Sequence, residues 1–297
     1  MAGLLGAQRE GRRTLAEMFE AGEMVLAPGC YDALGARLIE HAGFGAAYMT
    51  GFGSAASRLG RPDIGLMSMS EMVDNARRIV EAVDIPVVAD ADTGYGNAIN
   101  VIRTVREYEA AGVAAIHLED QVMPKKCGHM EDKQLVPPHA MASKIAAAAA
   151  ARRSPDFLII ARTDARAVEG LEAAFQRGRR YREAGADALF VEAPQSVSEI
   201  EAIAEEFPDV PLLFNYAEGG KTPAVEYDFL RELGFSLVIF PLTLLLSATK
   251  AMRTALARVK ADGTPIGLLP SLIGFEEFLE LVGMDEIREL EHRFAEA

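Results

Sequence analysis

EYEAAGVAAIHLE, residues 107–119, and RYREAGADALFVE, residues 180–192, share a helix end, an Ala-Gly turn, an apolar run and a terminal Glu. EHAGFGAAYMT (40–50) and RELGFSLVIFP (231–241) are related units with a Gly at the same place. Gly43, Gly112, Gly185 and Gly234 stand where a helix must stop before a strand, a position that calls for positive φ. Working outward, apolar runs of strand length recur at Met24–Ala27, Ala46–Met49, Ile85–Ala89, Ala114–Leu118, Phe157–Ala161, Ala188–Val191, Pro211–Phe214 and Leu237–Phe240. They do not alternate, as expected of strands buried on both faces. Stretches of helical periodicity lie between them, at Met69–Ala82, Ile99–Ala111, Gly170–Ala184 and Val197–Glu206. Eight such strands separated by helices predict an α/β protein of the (β/α)8, TIM-type barrel class.

Barrels of this class run as one domain at 297 residues, so a single domain over 1–297 is expected. After Ala248 the chain reads as helical, at Ala251–Lys260, Phe275–Leu281 and Asp285–Glu296. This extension, about 248–297, exceeds one closing helix and is expected to pack on the barrel or on a neighbouring subunit. With 44 acidic and 30 basic residues the formal charge is −14, which argues against nucleic-acid binding. A half-apolar composition excludes disorder. Two cysteines, Cys30 and Cys127, make no disulfide framework. The start, MAGLLGAQREGRR, lacks the apolar core of a secretory signal, and the longest apolar run, Leu237–Leu246, is too short to span a bilayer. A soluble, cytoplasmic protein with no membrane association is the expectation.

In such barrels the working groups sit at the C-terminal strand ends. Asp90 and Asp92, at i and i+2, share one side of a strand, and Glu119 ends the next. Three carboxylates without nearby thiolates suit a hard cation such as Mg²⁺, and the competing arrangement is a buried ion network with Arg162 or Lys125. Thr50-Gly51-Phe52-Gly53 can wrap its amides round an anion or form a plain turn. Arg162 offers a carboxylate fork or a salt bridge. The segment Gln121–Pro138 is long and charged, which marks functional or mobile loops. Within it Lys125, Lys126 and His129 flank Cys127, a setting that favours a reactive thiolate over a small buried hydrophobe. Cys30, after an apolar strand, reads as structural.

These motifs in order are PDIG (62–65), DADTGYG (90–96), HLEDQ (117–121), KKCGH (125–129), ARTDA (161–165), and Asn215 followed by EGGKTP (218–223). A chain carrying them resembles the isocitrate lyase and phosphoenolpyruvate mutase superfamily along nearly its whole length. The sequence after Asn215 looks more like the branch holding 2,3-dimethylmalate lyase, petal death protein, oxaloacetate hydrolase and carboxyphosphonoenolpyruvate mutase than like methylisocitrate lyases.

The resemblance implies a Mg²⁺-dependent barrel, with Mn²⁺ as the alternative ion, acting on a small 2-hydroxy or 2-oxo dicarboxylate. It implies metal binding by Asp90 directly and by Asp92 and Glu119 through water. Thr50, Gly51, Phe52 and Arg162 would hold the α-carboxylate, and Tyr31 would lie beside the reacting hydroxyl. Asp63, Gly128, Glu192 and Asn215 would complete the pocket, and Lys125, Cys127 and His129 would sit on a closing loop from which Cys127 donates a proton. It further implies a homo-oligomer, a tetramer with exchanged C-terminal helices. The expected reaction is carbon–carbon cleavage of a 2-alkylmalate or methylisocitrate type acid. Oxaloacetate hydrolysis and phosphonomutase chemistry are the alternatives.

Overall fold

The computed structural model describes residues 4–5 and 13–295. Most of the N-terminal stretch considered above for a signal, and Glu296, lie outside them. Eight parallel strands carry the fold: β1 (Val25–Cys30), β2 (Ala47–Met49), β3 (Val87–Asp90), β4 (Ala115–Glu119), β5 (Leu158–Thr163), β6 (Ala188–Val191), β7 (Leu213–Asn215) and β8 (Leu237–Phe240). Each overlaps an expected run. They pair in the order β6-β5-β4-β3-β2-β1-β8-β7. An isolated parallel bridge, Leu189↔Leu212, brings β6 and β7 together, so the sheet is a nearly closed barrel.

The repeated Ala-Gly units are repeated caps. Gly43, Gly112, Gly185 and Gly234 have φ between 84° and 106°. After each, the next residue's N–H returns to a carbonyl five residues back: Phe44 to Ile39, Val113 to Tyr108, Ala186 to Tyr181 and Phe235 to Leu230. This is the Schellman closure, which stops the helix and aims the chain into the next strand.

Two apolar layers follow from strand alternation. Val25, Ala27, Tyr48, Val88, Ile160 and Phe190 belong to a cluster that fills the barrel, while alternate residues pack outward on the helices. The inner cluster includes fully buried Leu15, from the short helix Leu15–Glu20, which Thr14 and Glu17 open with a capping box. Leu15 shares a pocket with Pro86, Ala114 and Phe157, which precede β3, β4 and β5, so the helix sits at the end of the barrel opposite the C-terminal strand ends.

Beyond β8 the chain forms helix Thr243–Asp262, a 3₁₀ turn Ile266–Ser271, and helices Phe275–Leu281 and Met284–Ala295, none with a buried residue. Leu256, Ile266, Leu269 and Phe275 are each at least 60% exposed, so this extension carries apolar surface the barrel does not cover. Among the described residues no helix is long and apolar enough to cross a membrane.

Candidate active site

The C-terminal strand ends surround a narrow cavity of about 50 Å³. Thr50, Phe52, Asp63 and Asp90 line one side, and Arg162, Glu192 and Asn215 the other. Lys125, Cys127, Gly128 and His129 lean over it from the loop after β4. Glu119 and Asp92, both buried, do not line it. Tyr31 does not line it either; Tyr48, from inside β2, does. The alternation explains this: Tyr48 belongs to the barrel-filling layer, whereas Tyr31 lies past the end of β1 with its Cβ against the first turn after β2.

Thr50-Gly51-Phe52-Gly53 is neither a free nest nor a plain turn. It opens helix Gly51–Leu59, with Thr50 as N-cap accepting from Gly53 N–H at 3.2 Å. First-turn amides have no partner inside their own helix, so this helix start brings anion-binding donors to the edge of the cavity.

Arg162 meets more acid than was expected. Its Nε and Nη2 donate to Asp164 at 2.9 and 3.2 Å, so its fork is already taken. Nε also lies 3.3 Å from Glu119 Oε2, and the guanidinium stands 5.0 Å over the Phe190 ring. Lys125 bridges Asp63 and Asp92 at 2.7 and 2.8 Å. Asp90 has His117 Nε2 3.7 Å away, and that nitrogen is hydrogen-bonded to the Tyr48 hydroxyl at 2.9 Å. Burial pushes His117 down to about 4, against the pull of Asp90, so the ring is neutral at working pH.

The expected metal triad is not a preformed cage. Among the described residues no group of three or more His, Cys, Asp or Glu stands ready to hold an ion. Lys125 holds Asp92 and Arg162 approaches Glu119, which is the ion network considered as the competing arrangement. The donor chemistry nevertheless fits a divalent cation. Among the described residues seven buried carboxylates (Asp63, Asp90, Asp92, Glu119, Asp120, Asp164 and Glu192) outnumber five buried cations (Lys125, Lys133, Lys144, Arg162 and Arg177). Neither Glu119 oxygen accepts a hydrogen bond. Burial raises the Glu119 carboxyl well above its ordinary range and, with help from Asp90 and against Lys125, lifts Asp92 to about 6. A Cβ at Gly51 would collide with Asp90 Oδ2, so the glycine leaves that oxygen its space. An oxygen-rich, under-neutralised pocket of this kind is what Mg²⁺ binds.

The loop after β4 is tied down rather than structureless. Gln121 and Leu135 form an antiparallel bridge at its base, and the Gln121 side chain pairs with Lys126 N–H and C=O at 3.0 and 2.8 Å. Lys133, unremarked in the sequence, is buried and holds both Gly128 C=O and Asp164, the latter at 2.8 Å. A Cβ at Gly128 would collide with Glu192 and Arg162, so only glycine lets the loop lie this close.

The cations flanking Cys127 in sequence are committed elsewhere: Lys125 to Asp63 and Asp92, Lys126 to the Glu131 carbonyl. Burial, helped by Asp63 and Glu192, pushes the thiol up to about 11. Cys127 is therefore a protonated thiol, not the thiolate its neighbours in sequence suggested. Cys30 is fully buried, as a structural residue should be. Glu192 goes the other way: burial would raise it, but Arg162 and His129 bring it below its ordinary range. Tyr48 and Lys133 are the site residues that sequence reading passed over; His117 and Asp164 stood in the HLEDQ and ARTDA motifs without a role. Tyr48 carried a signal in its place on an inward-facing strand position; Lys133 carried none.

A family model described as phosphoenolpyruvate phosphomutase matches residues 15–260. The chain is 50% identical to 2,3-dimethylmalate lyase of Eubacterium barkeri, over 94% of this chain and 96% of that protein. It is 48% identical to 2-methylisocitrate lyase of Aeropyrum pernix, over 91% and 86% of the two. Identity to the chloroplastic carboxyvinyl-carboxyphosphonate phosphorylmutase of Arabidopsis thaliana is 45%, over 94% and 83%. Among solved structures, oxaloacetate acetylhydrolase with 3,3-difluorooxalacetate superposes with a TM-score of 0.90 at 36% identity, covering 97% of this chain and 98% of that one. Phosphonopyruvate hydrolase, complexed with oxalate and Mg²⁺, gives 0.87 at 35% identity, covering 95% and 100%.

Proposed function

The chain belongs to the phosphoenolpyruvate phosphomutase family, in the superfamily of the isocitrate lyases, and from that membership and its cavity we propose a carbon–carbon lyase. Its substrate is a 2-hydroxy dicarboxylate of the 2-alkylmalate or methylisocitrate type, and its products are a 2-oxo acid and a carboxylate. The observation that carries this reading is the placement of Cys127, whose thiol burial keeps protonated, in the wall of a small, otherwise highly charged cavity. A poised neutral acid is what a carbanionic product needs.

The remaining edge of Arg162, with the amides of Gly51 and Phe52 and the Thr50 side chain, receives the α-carboxylate. Tyr48 rather than Tyr31 faces the reacting centre. When bound, Mg²⁺ or Mn²⁺ on Asp90, Asp92 and Glu119 supplies acidification of the 2-hydroxyl and polarisation of the nascent 2-oxo group. The hydroxyl proton leaves, C2 becomes a carbonyl carbon, and the C2–C3 electron pair passes to C3. Cys127 gives its proton to C3, and the proton lost from the hydroxyl restores the thiol over the cycle. Lys125 fixes Asp63 at the wall, and His129, Glu192 and Asn215 line the side away from Thr50. Asn215 Oδ1, buried and without a hydrogen-bond partner, is an acceptor for substrate.

The test is incubation with Mg²⁺ and 2-methylmalate, 2,3-dimethylmalate, 2-methylisocitrate, isocitrate and oxaloacetate, followed by proton NMR with an EDTA control. Metal-dependent pyruvate or glyoxylate from one hydroxy diacid supports the proposal. Acetate with loss of oxaloacetate beyond the EDTA control, and oxalate confirmed by a separate assay, would select the hydrolase instead, and a silent panel would point to phosphonate substrates.

We also propose that 1–297 is one catalytic unit that assembles as a homo-oligomer, a tetramer exchanging its C-terminal helices, in the cytoplasm. The uncovered apolar residues of the extension support the assembly, and two free cysteines suit a reducing compartment. A stable monomer in sedimentation velocity would overturn the assembly.

A further inference from the structure

The EGGKTP motif (218–223) has no part in the reaction as derived, yet it touches the loop that does. Lys221 N–H donates to His129 Nδ1 at 3.0 Å, joining segments 92 residues apart. A ring nitrogen that accepts carries no proton, so the neutral imidazole carries its proton on Nε2. That atom lies 3.1 Å from Glu192 Oε1, and Glu192 also takes the Asn215 amide at 3.2 and 3.3 Å. Gly220 lies against the same ring: a Cβ there would stand 2.7 Å from Nδ1 and 2.8 Å from Cε1. The φ of Gly220 is outside the left-handed region, so space and not φ demands glycine: the ring first, then the Ala217 carbonyl oxygen at 3.0 Å. Behind it, Glu218 accepts from Leu242 N–H at 3.1 Å and from the Thr243 hydroxyl, which anchors the segment to the first helix of the C-terminal extension.

We propose that residues 218–222 are a latch for the Cys127 loop. The Lys221 N–H and the bare Cα of Gly220 are positioning elements: they fix the His129 tautomer, keep Nε2 beside Glu192 and hold Cys127-Gly128-His129 over the cavity. Only the kinetic consequence rests on the lyase reading. In that reading, opening the latch lowers kcat at least tenfold while Mg²⁺ affinity stays within twofold.

The test is alkylation of Cys127 by N-ethylmaleimide with Mg²⁺ and oxalate present, followed peptide by peptide with buried Cys30 as the internal control. Wild type should be protected by these additions. Gly220→Val and Lys221→Pro should raise the Cys127 rate at least tenfold, and Lys221→Ala, which keeps the N–H, should stay within twofold of wild type. The proposal falls if wild type gains no protection or if Gly220→Val and Lys221→Pro react at the wild-type rate. It also falls if Lys221→Ala reacts as fast as they do, since that would assign the effect to the Lys221 Nζ–Glu131 contact at 3.8 Å. Should Lys221→Pro fail to fold by circular dichroism, Gly220→Val decides. A wild type that cleaves no hydroxy diacid but shows this pattern keeps the latch and sinks the lyase; turnover with a flat pattern does the reverse.

Discussion

Cys127 and His117 are both governed by burial, and burial acts on them in opposite senses because it disfavours whichever form is charged. For the thiol the neutral form is the acid that the proposed reaction uses. Cys127→Ser should lower kcat by about 10²–10⁴, the usual worth of a positioned acid, while oxalate binding measured by calorimetry stays intact. With the thiol at about 11, alkylation of the liganded protein should stay slow through pH 8 and climb only toward that value. For His117 the folded-state value of about 4 lies below the ordinary 6.5. The unfolded chain therefore binds the extra proton between these pH values, and the His117 contribution is complete above pH 6.5 and lost as pH falls toward 4. Its size is about 3 kcal/mol, taking 1.36 kcal/mol per unit. Asp92, lifted to about 6, works in the other direction, losing stability as pH rises. The His117 share is thus the difference between melts of metal-free wild type and His117→Asn, which should converge near pH 4 and separate above pH 6.5.

At the scale of elements, the loop after β4 depends on one close approach. Gly128→Ala drives a methyl into Glu192 and Arg162, and a displacement of about 1 Å at a catalytic loop is worth roughly 10²-fold in rate. We expect kcat/KM to fall by about that factor with the melting temperature little changed; a large drop in melting temperature would instead make Gly128 a folding residue. Strands and helices were legible because each was written locally. The helix Met69–Ala82 has the expected bounds, and the Ala-Gly units carried their own stop signals. Acids at strand ends were legible for the same reason, since Asp90 ends β3 and Glu119 ends β4; period two did not carry to Asp92, which lies past the strand at φ 46° and off the cavity. What escaped depended on partners far along the chain. The thiol state of Cys127 follows from its burial beside Asp63 and Glu192, which stand far from it along the chain, and Lys133 reaches the site through Asp164, 31 residues away. Thr50-Gly51-Phe52-Gly53 misled differently: a glycine-rich run reads as a loop, but an N-cap threonine with a good helix behind it wins.

On the scale of the molecule, one ring of strands sets both rigidity and reach. Every neighbouring pair from β6 round to β7 shares a ladder of at least two registered residues, whereas β6 and β7 meet at the bridge Leu189↔Leu212. Backbone amides on either side of that meeting should exchange with deuterium sooner than those of β3, β4 and β5; uniform protection round the ring would contradict this. Glu192 follows β6 and Asn215 ends β7, so the two side chains that close one wall of the cavity stand on opposite lips of the seam. The wall bearing Asp90, Asp92 and Glu119 is braced by continuous ladders, while the facing wall is joined by one bridge and the Asn215–Glu192 hydrogen bonds. A barrel built this way keeps its charge chemistry fixed and leaves its bore adjustable. Substitutions near Leu189 and Leu212, which touch no substrate, should therefore retune which side chain fits without disturbing how the bond is broken.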